Sequence, residues 1–184
     1  MQVIRRLLTE NEVTFEGKYA NLRHARVEPK PIQKPMPPLW IGGSKSSVKR
    51  AAKYADYLCL YCKDNTSVDE IRNATAPSLQ RESQANNRTC KLAMYTYAAV
   101  VEKEREKEQL MGHVKRGYAG YAGEANVQEL SIIGSADECI KNTKRLRRAG
   151  ISYLVLDFYS HGMEDISVLK ERMEAFSKKV IAKL

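Results

Sequence analysis

The stretch Leu39-Trp40-Ile41-Gly42-Gly43-Ser44-Lys45-Ser46-Ser47 decides how the rest of the chain is read. Three apolar residues suit a short buried strand, two glycines end it, and hydroxyl residues then open a helix. The helix pattern runs from Ser44 to Asp56, with Val48, Ala51, Ala52 and Ala55 on one face. A second apolar strand follows at Tyr57 to Tyr61. Strand, helix, strand within so few residues is the signature of a parallel β/α unit.

Outward from this unit the alternation continues. Thr66 to about Ala85 reads as a weaker helix, interrupted or kinked at Pro77, and Cys90 to Val101 as a third strand. Glu102 to about Tyr121 and Glu124 to Leu130 read as helical, with Tyr118 and Tyr121 packing the longer piece. Ser135-Ala136-Asp137-Glu138 has the form of a capping box, and its helix stops at Gly150. Ser152 to Phe158 is a fourth, nearly continuous apolar strand. Met163 to Leu184 closes the chain, with Ile166, Leu169, Met173, Phe176 and Val180 along one stripe. Four strands each followed by helix give an α/β fold with a parallel sheet buried on both faces. An open doubly wound sheet and a piece of a (β/α) barrel both satisfy that pattern. A full eight-unit barrel takes about 250 residues, so the count of four units leans toward the open sheet.

The N-terminal portion is different. Residues 1–9 carry Val3, Ile4, Leu7 and Leu8 on one helical face with no capping residue before them, so the helix looks cut rather than started. Val13 to Tyr19 and Leu22 to Val27 read as two short extended pieces. Pro29, Pro31, Pro35, Pro37 and Pro38 then make an extended connector, since each ring fixes φ and biases its predecessor away from the helical region. The expected organisation is a single domain: residues 1–37 form the helix end, hairpin and connector, and 38–184 the four β/α units.

Composition excludes several classes. The chain has 184 residues, 43% hydrophobic and 29% charged, which fits a protein with a real core and not a disordered or disulfide-dense one. No apolar run approaches the ~18 residues of a membrane span, and no signal-peptide pattern is present, so a cytoplasmic location is expected. The net charge of +9 permits an anionic partner. The basic residues are scattered, however, and Glu102 to Glu108 alternates in sign as a solvated helix face does. Lys144-Arg145-Leu146-Arg147-Arg148 lies where cations complement a helix C-terminus. A nucleic-acid role rests on charge alone. Cys59, Cys62, Cys90 and Cys139 read as reduced, mostly buried thiols. Cys59 and Cys62 form a lone C-x-x-C inside an apolar run, and His24, His113 and His161 are dispersed, so no metal motif emerges.

Gly42, Gly43, Ser44, Ser46 and Ser47 form the candidate binding loop. Glycine admits a close backbone approach, hydroxyls donate hydrogen bonds, a helix start offers unpaired N–H groups, and Lys45 adds charge. This is an adequate phosphate site but not a Walker loop, because Pro37 and Pro38 stand where the first glycine of that motif belongs. Lys63, just after the second strand, is placed to meet the same phosphate. Asp157 ends the fourth strand on the side where barrel enzymes carry their chemistry, and Tyr159 and His161 share its loop. Trp40 reads as core.

Several segments together resemble the luciferase-like monooxygenase family. They are Arg5 to Gly17, Val27 to Pro35, Pro37-Pro38-Leu39-Trp40-Ile41-Gly42-Gly43-Ser44 with Arg50 to Asp56 behind it, Gly134-Ser135-Ala136-Asp137-Glu138-Cys139-Ile140, and Ala149-Gly150-Ile151-Ser152-Tyr153. The resemblance implies a (β/α)8 barrel that uses flavin mononucleotide (FMN) or an 8-hydroxy-5-deazaflavin for monooxygenation or hydride transfer. It makes Leu39–Ile41 the fifth barrel strand and the Gly42–Ser47 loop the cofactor-phosphate site. The chain then holds the C-terminal half of the barrel, strands five to eight, and the resemblance carries no catalytic residue onto it. A half barrel leaves open edges and an uncovered inner face, so association into a homo-oligomer is expected. The alternative expectation is a non-catalytic oligomeric module retaining at most an anion site.

Overall fold

The computed structural model describes residues 1–61, 66–117, 124–158 and 165–184. Helix α1 spans Gln2–Thr9, and strands β1 (Val13–Glu16) and β2 (Asn21–Ala25) form an antiparallel hairpin. Glu12 binds this hairpin together, accepting from the His24 ring at 2.6 Å and from Arg26 at 2.6 Å. The main sheet follows. Strands β3 (Trp40–Gly42), β4 (Tyr57–Tyr61), β5 (Lys91–Val100), β6 (Ile132–Gly134) and β7 (Ile151–Asp157) are all paired in parallel. Four of them stand where the sequence pattern puts strands. The fifth, β6, is three residues long, too short for a hydrophobic period to register.

Strand β5 organises the sheet. Its first half pairs with β4 through Tyr57↔Lys91 to Tyr61↔Tyr95. It pairs with β7 from Leu92↔Ile151 to Tyr97↔Asp157. Its last residues, Ala98 to Val100, take β6. Among the described residues, β3 ends the sheet on one side, and β6 and β7 each pair only with β5.

Helices α2 (Val48–Tyr54), α3 (Val68–Glu70), α4 (Ala76–Ala85), α5 (Glu104–Gly117), α6 (Glu124–Leu130), α7 (Ala136–Arg148) and α8 (Ile166–Lys179) connect or follow the strands. The kink expected near Pro77 takes a specific form. Between α3 and α4 the chain makes a π-helical segment, Ile71–Thr75, and the Ala76 N–H reaches back five residues to the Ile71 carbonyl. Widening the turn this way accommodates a proline whose nitrogen has no hydrogen to give. The capping box forms as the sequence requires. Ser135 accepts from the Glu138 N–H, and Glu138 accepts from the Ser135 N–H at 2.8 Å.

Registered neighbours in a parallel sheet share a face, and the two faces differ in chemistry. Leu58, Leu60, Leu92 and Met94 are buried with Val48, Ala51, Leu79 and Leu146 of the helices in one cluster. The other face carries Trp40, Tyr57, Tyr61, Tyr95 and Tyr153. Trp40 stacks on Tyr57 with ring centroids 4.4 Å apart and meets Tyr153 edge-on at 5.2 Å. Trp40 is therefore half-buried on a sheet face and does not lie in the interior. Tyr153 is 50% exposed.

Asp56 locks the start of this sheet to the connector. Its carboxylate accepts from the Leu39 N–H at 2.7 Å and from Arg88 at 3.3 Å, with Arg5 at 3.8 Å. No helix among the described residues is long and apolar enough to cross a membrane.

Candidate functional site

The Gly42–Ser47 loop leaves the C-terminal end of β3. Gly42 pairs with Cys59, and the Gly43 N–H donates to the Cys59 carbonyl at 3.0 Å. Gly43 then takes φ +155°, and a Cβ built there would lie 2.3 Å from the Ser47 hydroxyl. Glycine is required at this position by backbone conformation and by space together. Gly42 is tight for a different reason, because a Cβ there would sit 3.1 Å from the Tyr61 ring and phenol oxygen.

Ser44 through Ser47 fold into a single 3-10 turn, Lys45–Ser47, that leads into α2, and the Ser47 N–H donates to the Ser44 carbonyl at 2.9 Å. Ser47 faces inward. It is buried, and its hydroxyl accepts from Arg50 at 3.1 Å. Ser44 and Ser46 face outward with their hydroxyl oxygens 3.1 Å apart. Among the described residues the N–H groups of Ser44, Lys45 and Ser46 have no acceptor. The turn thus presents three backbone donors and two accessible hydroxyls on one small surface, which is the donor set an anionic oxygen needs.

Lys45 is held by a partner. Its ammonium lies 2.7 Å from Glu70, which also accepts from Thr66, and the Lys45 bond holds the Glu70 carboxyl below its usual range. Ser67 caps the same helical start by accepting from the Glu70 N–H at 3.1 Å. Lys45 therefore ties the loop to α3, and the guanidinium of Arg50 is the cation in contact with a loop hydroxyl. Sequence reading missed Arg50. It lies one turn along the helix from Ser47, and only the path of the 3-10 turn brings the two together.

The same end of the sheet carries a second polar group on the aromatic face. The Tyr95 phenol donates to the Asp157 carboxylate, across the pairing that sets Tyr97 opposite Asp157. The Tyr61 ring lies 5.7 Å from Tyr95 and directly over Gly42. Tyr61, Tyr95 and Asp157 thus line the floor beside the loop. Of the candidates named from sequence, Gly42, Gly43, Ser44, Ser46 and Ser47 are brought together. Lys63, Cys62, Tyr118, Tyr121, Tyr159 and His161 lie outside the described residues. No group of three metal-ligating side chains occurs among the described residues.

The sequence profile of the family described as luciferase-like monooxygenase matches residues 1–110. The chain belongs to the luciferase-like monooxygenase family. The match takes in the hairpin, the connector, the Gly42–Ser47 loop and the first three strands of the main sheet.

Solved structures of similar fold agree. An F420-dependent secondary alcohol dehydrogenase, solved in complex with an F420-acetone adduct, is 21% identical with a TM-score of 0.74. The alignment covers 98% of this chain and 59% of that one. The monooxygenase RslO1 from Streptomyces bottropensis is 19% identical with a TM-score of 0.81, over 99% and 59% of the two chains. The coenzyme F420 dependent tetrahydromethanopterin reductase from Methanopyrus kandleri is 19% identical with a TM-score of 0.71, over 99% and 61%. At these identities the likeness establishes the fold. This luciferase-like chain spans about 60% of the length of the structures it matches, and its parallel strands form half of a barrel.

Proposed function

We propose that the chain holds the phosphate of a flavin-type cofactor, FMN or an 8-hydroxy-5-deazaflavin, on the Gly42–Ser47 loop of an oxidoreductase. The observation that carries this reading is the donor set of the turn: the N–H groups of Ser44, Lys45 and Ser46, free of acceptors among the described residues, beside two exposed hydroxyls. The loop stands at the C-terminal end of its strand, the end at which barrel enzymes bind and react. Lys63, four residues beyond Cys59 in sequence, is the further cation proposed for the phosphate.

When bound, the reduced cofactor supplies hydride or activates dioxygen. The chain's own residues then have simple tasks. The backbone donors fix the anionic end, and Gly43 and Ser47 keep the turn shut behind it. Arg50 balances charge from below through the Ser47 hydroxyl. The Tyr61 and Tyr95 rings, tilted 45° to one another, give an aromatic wall beside Gly42, and Asp157 holds the Tyr95 phenol in place.

Titration with FMN, followed by quenching of flavin fluorescence, tests the assignment, with the deazaflavin titrated in parallel. Saturable binding that weakens in Ser44→Ala and Ser46→Ala is expected. Affinity unchanged in both variants overturns the phosphate assignment. The ligand that binds more tightly identifies the cofactor.

A second reading, of a non-catalytic oligomeric half barrel, is favoured by the aromatic face. Trp40, Tyr57 and Tyr153 form an accessible ring cluster on the side that a closed barrel would enclose. We propose that further copies of the chain cover this face in a homo-oligomer. The two readings differ on catalysis, but phosphate binding and association are compatible, since the loop lies at the strand ends and the aromatic cluster at their beginnings.

A further inference from the structure

A cavity of about 520 Å³ opens at the opposite end of the sheet, between α4, the start of β5 and the turn from α7 into β7. That volume lies within the range of small-molecule sites. Its wall contains four cations, Arg72, Arg88, Lys91 and Arg148, and no carboxylate. Two of these are already balanced, Arg72 by Asp69 at 3.4 Å and Arg88 by Asp56 at 3.3 Å. Lys91 registers with Tyr57, so its side chain belongs to the aromatic face; Arg148 has no ion-pair partner among the described residues and leaves the cavity with uncompensated positive charge.

An independent observation marks the cavity as a site. Ser83 lines it and is only 3% exposed, yet its hydroxyl has no hydrogen-bond partner. The Nε of Arg88, in the same wall, is also buried and unpartnered. Buried polar atoms are rarely left without partners, because each costs the desolvation of a lost hydrogen bond. Two such atoms in one wall, with the unpaired Arg148, make a donor set without an acceptor. The apolar part of the wall comes from Leu79, Leu92 and Pro77.

We propose that this cavity binds a small phosphate monoester. Arg148, the Arg88 Nε and the Ser83 hydroxyl would bind the dianion, and the apolar wall would receive the organic portion. Two guanidinium groups match a dianion better than a monocarboxylate, and their planar donor geometry suits phosphate. The cavity is separate from the Gly42–Ser47 loop, because the strands are parallel and it sits at their beginnings. It lies among α4, the start of β5 and the turn from α7 into β7.

Isothermal titration calorimetry with ribose 5-phosphate on the whole chain tests the proposal, with inorganic phosphate and ribose as parallel ligands. Saturable binding of the ester that weakens with added salt is expected, tighter than either parallel ligand. Arg148→Gln should weaken it about tenfold, the loss typical of one charge-assisted contact, whereas Lys91→Gln, an equal charge change on the opposite face, should weaken it far less. Ser83→Ala should weaken it less. Both cations are exposed, so circular dichroism should show these variants folded. Ser46→Ala should leave the affinity unchanged. No saturable binding overturns the proposal. So does ribose or inorganic phosphate binding as tightly as the ester, or an affinity that responds to Ser46→Ala and ignores Arg148→Gln.

Discussion

Gly43 and Ser47 are packed so closely that a single added methyl group on the glycine would stand 2.3 Å from the serine hydroxyl. The contact closes the turn after β3 and fixes where its donors point. Gly43→Ala should therefore cost stability twice, through the +155° φ and through displacement of Ser47 from Arg50. Strained backbone of this kind costs on the order of 1–3 kcal/mol. Urea unfolding should show a loss in that range, and FMN affinity should fall with it. A variant as stable as the parent would mean that the turn relaxes freely, and the loop would lose its claim to be preorganised.

The capping box of α7 gives the fold a defined acid sensitivity. The Lys107 ammonium and the Ser135 N–H and hydroxyl hold the Glu138 carboxyl at about 2, against an ordinary 4.5. A carboxyl lowered on folding stabilises at pH above its unfolded value, and the contribution is lost as pH falls from about 4.5 toward 2. Lys107 is the largest cause of the lowering, but Glu138 is half-exposed, so that ion pair is screened and the capping bonds with Ser135 add to it. Glu138→Ala should reduce stability by about 1 kcal/mol at neutral pH. In urea unfolding at a series of pH values, the gap between parent and variant should narrow steadily below pH 4.5. A gap independent of pH contradicts the assignment.

The site and the fold were legible to different degrees. The β/α alternation shows in sequence because strands β4, β5 and β7 are buried runs long enough to have a pattern, and the Ser135–Glu138 box is local by nature. Strand β6 was not, since Ile132-Ile133-Gly134 acquires its pairing only from the far end of β5. The choice between an open sheet and a barrel half was equally hidden, because strand order depends on contacts that no local period encodes. The loop's glycines and serines could be named in advance. What could not be read was which hydroxyl turns inward: the 3-10 turn buries Ser47 and sends Lys45 to Glu70, a partner 25 residues away.

Cys90 and Cys139 should be inert thiols in the folded protein. Burial pushes each up to about 11, with Asp56 adding to the rise at Cys90 and Glu138 at Cys139. At pH 8 only about one in a thousand of either would be thiolate, the form that reacts. Iodoacetamide labelling of native protein, read by peptide mass spectrometry, should leave both unmodified until denaturant is added. Rapid native labelling of either would show that β5 or α7 opens locally, since Cys139 lies with its sulfur 3.5 Å from the Ala99, Ile132 and Gly134 carbonyls.

Trp40, the one tryptophan of the sequence, reports on the face that the proposed oligomer covers. It stacks on Tyr57 and meets Tyr153 edge-on, and Tyr153 is half exposed. Removing water from that cluster should shift the Trp40 emission to the blue and protect it from acrylamide. Both changes should grow with protein concentration, in step with the mass measured by light scattering. Tyr153→Glu sets a charge on the same face, where burial without a partner is costly, and should hold the protein monomeric with red-shifted emission. Tyr19→Glu, at a hairpin residue that is 89% exposed, changes the net charge equally and should leave association intact. If both variants associate like the parent, the aromatic face is not the interface.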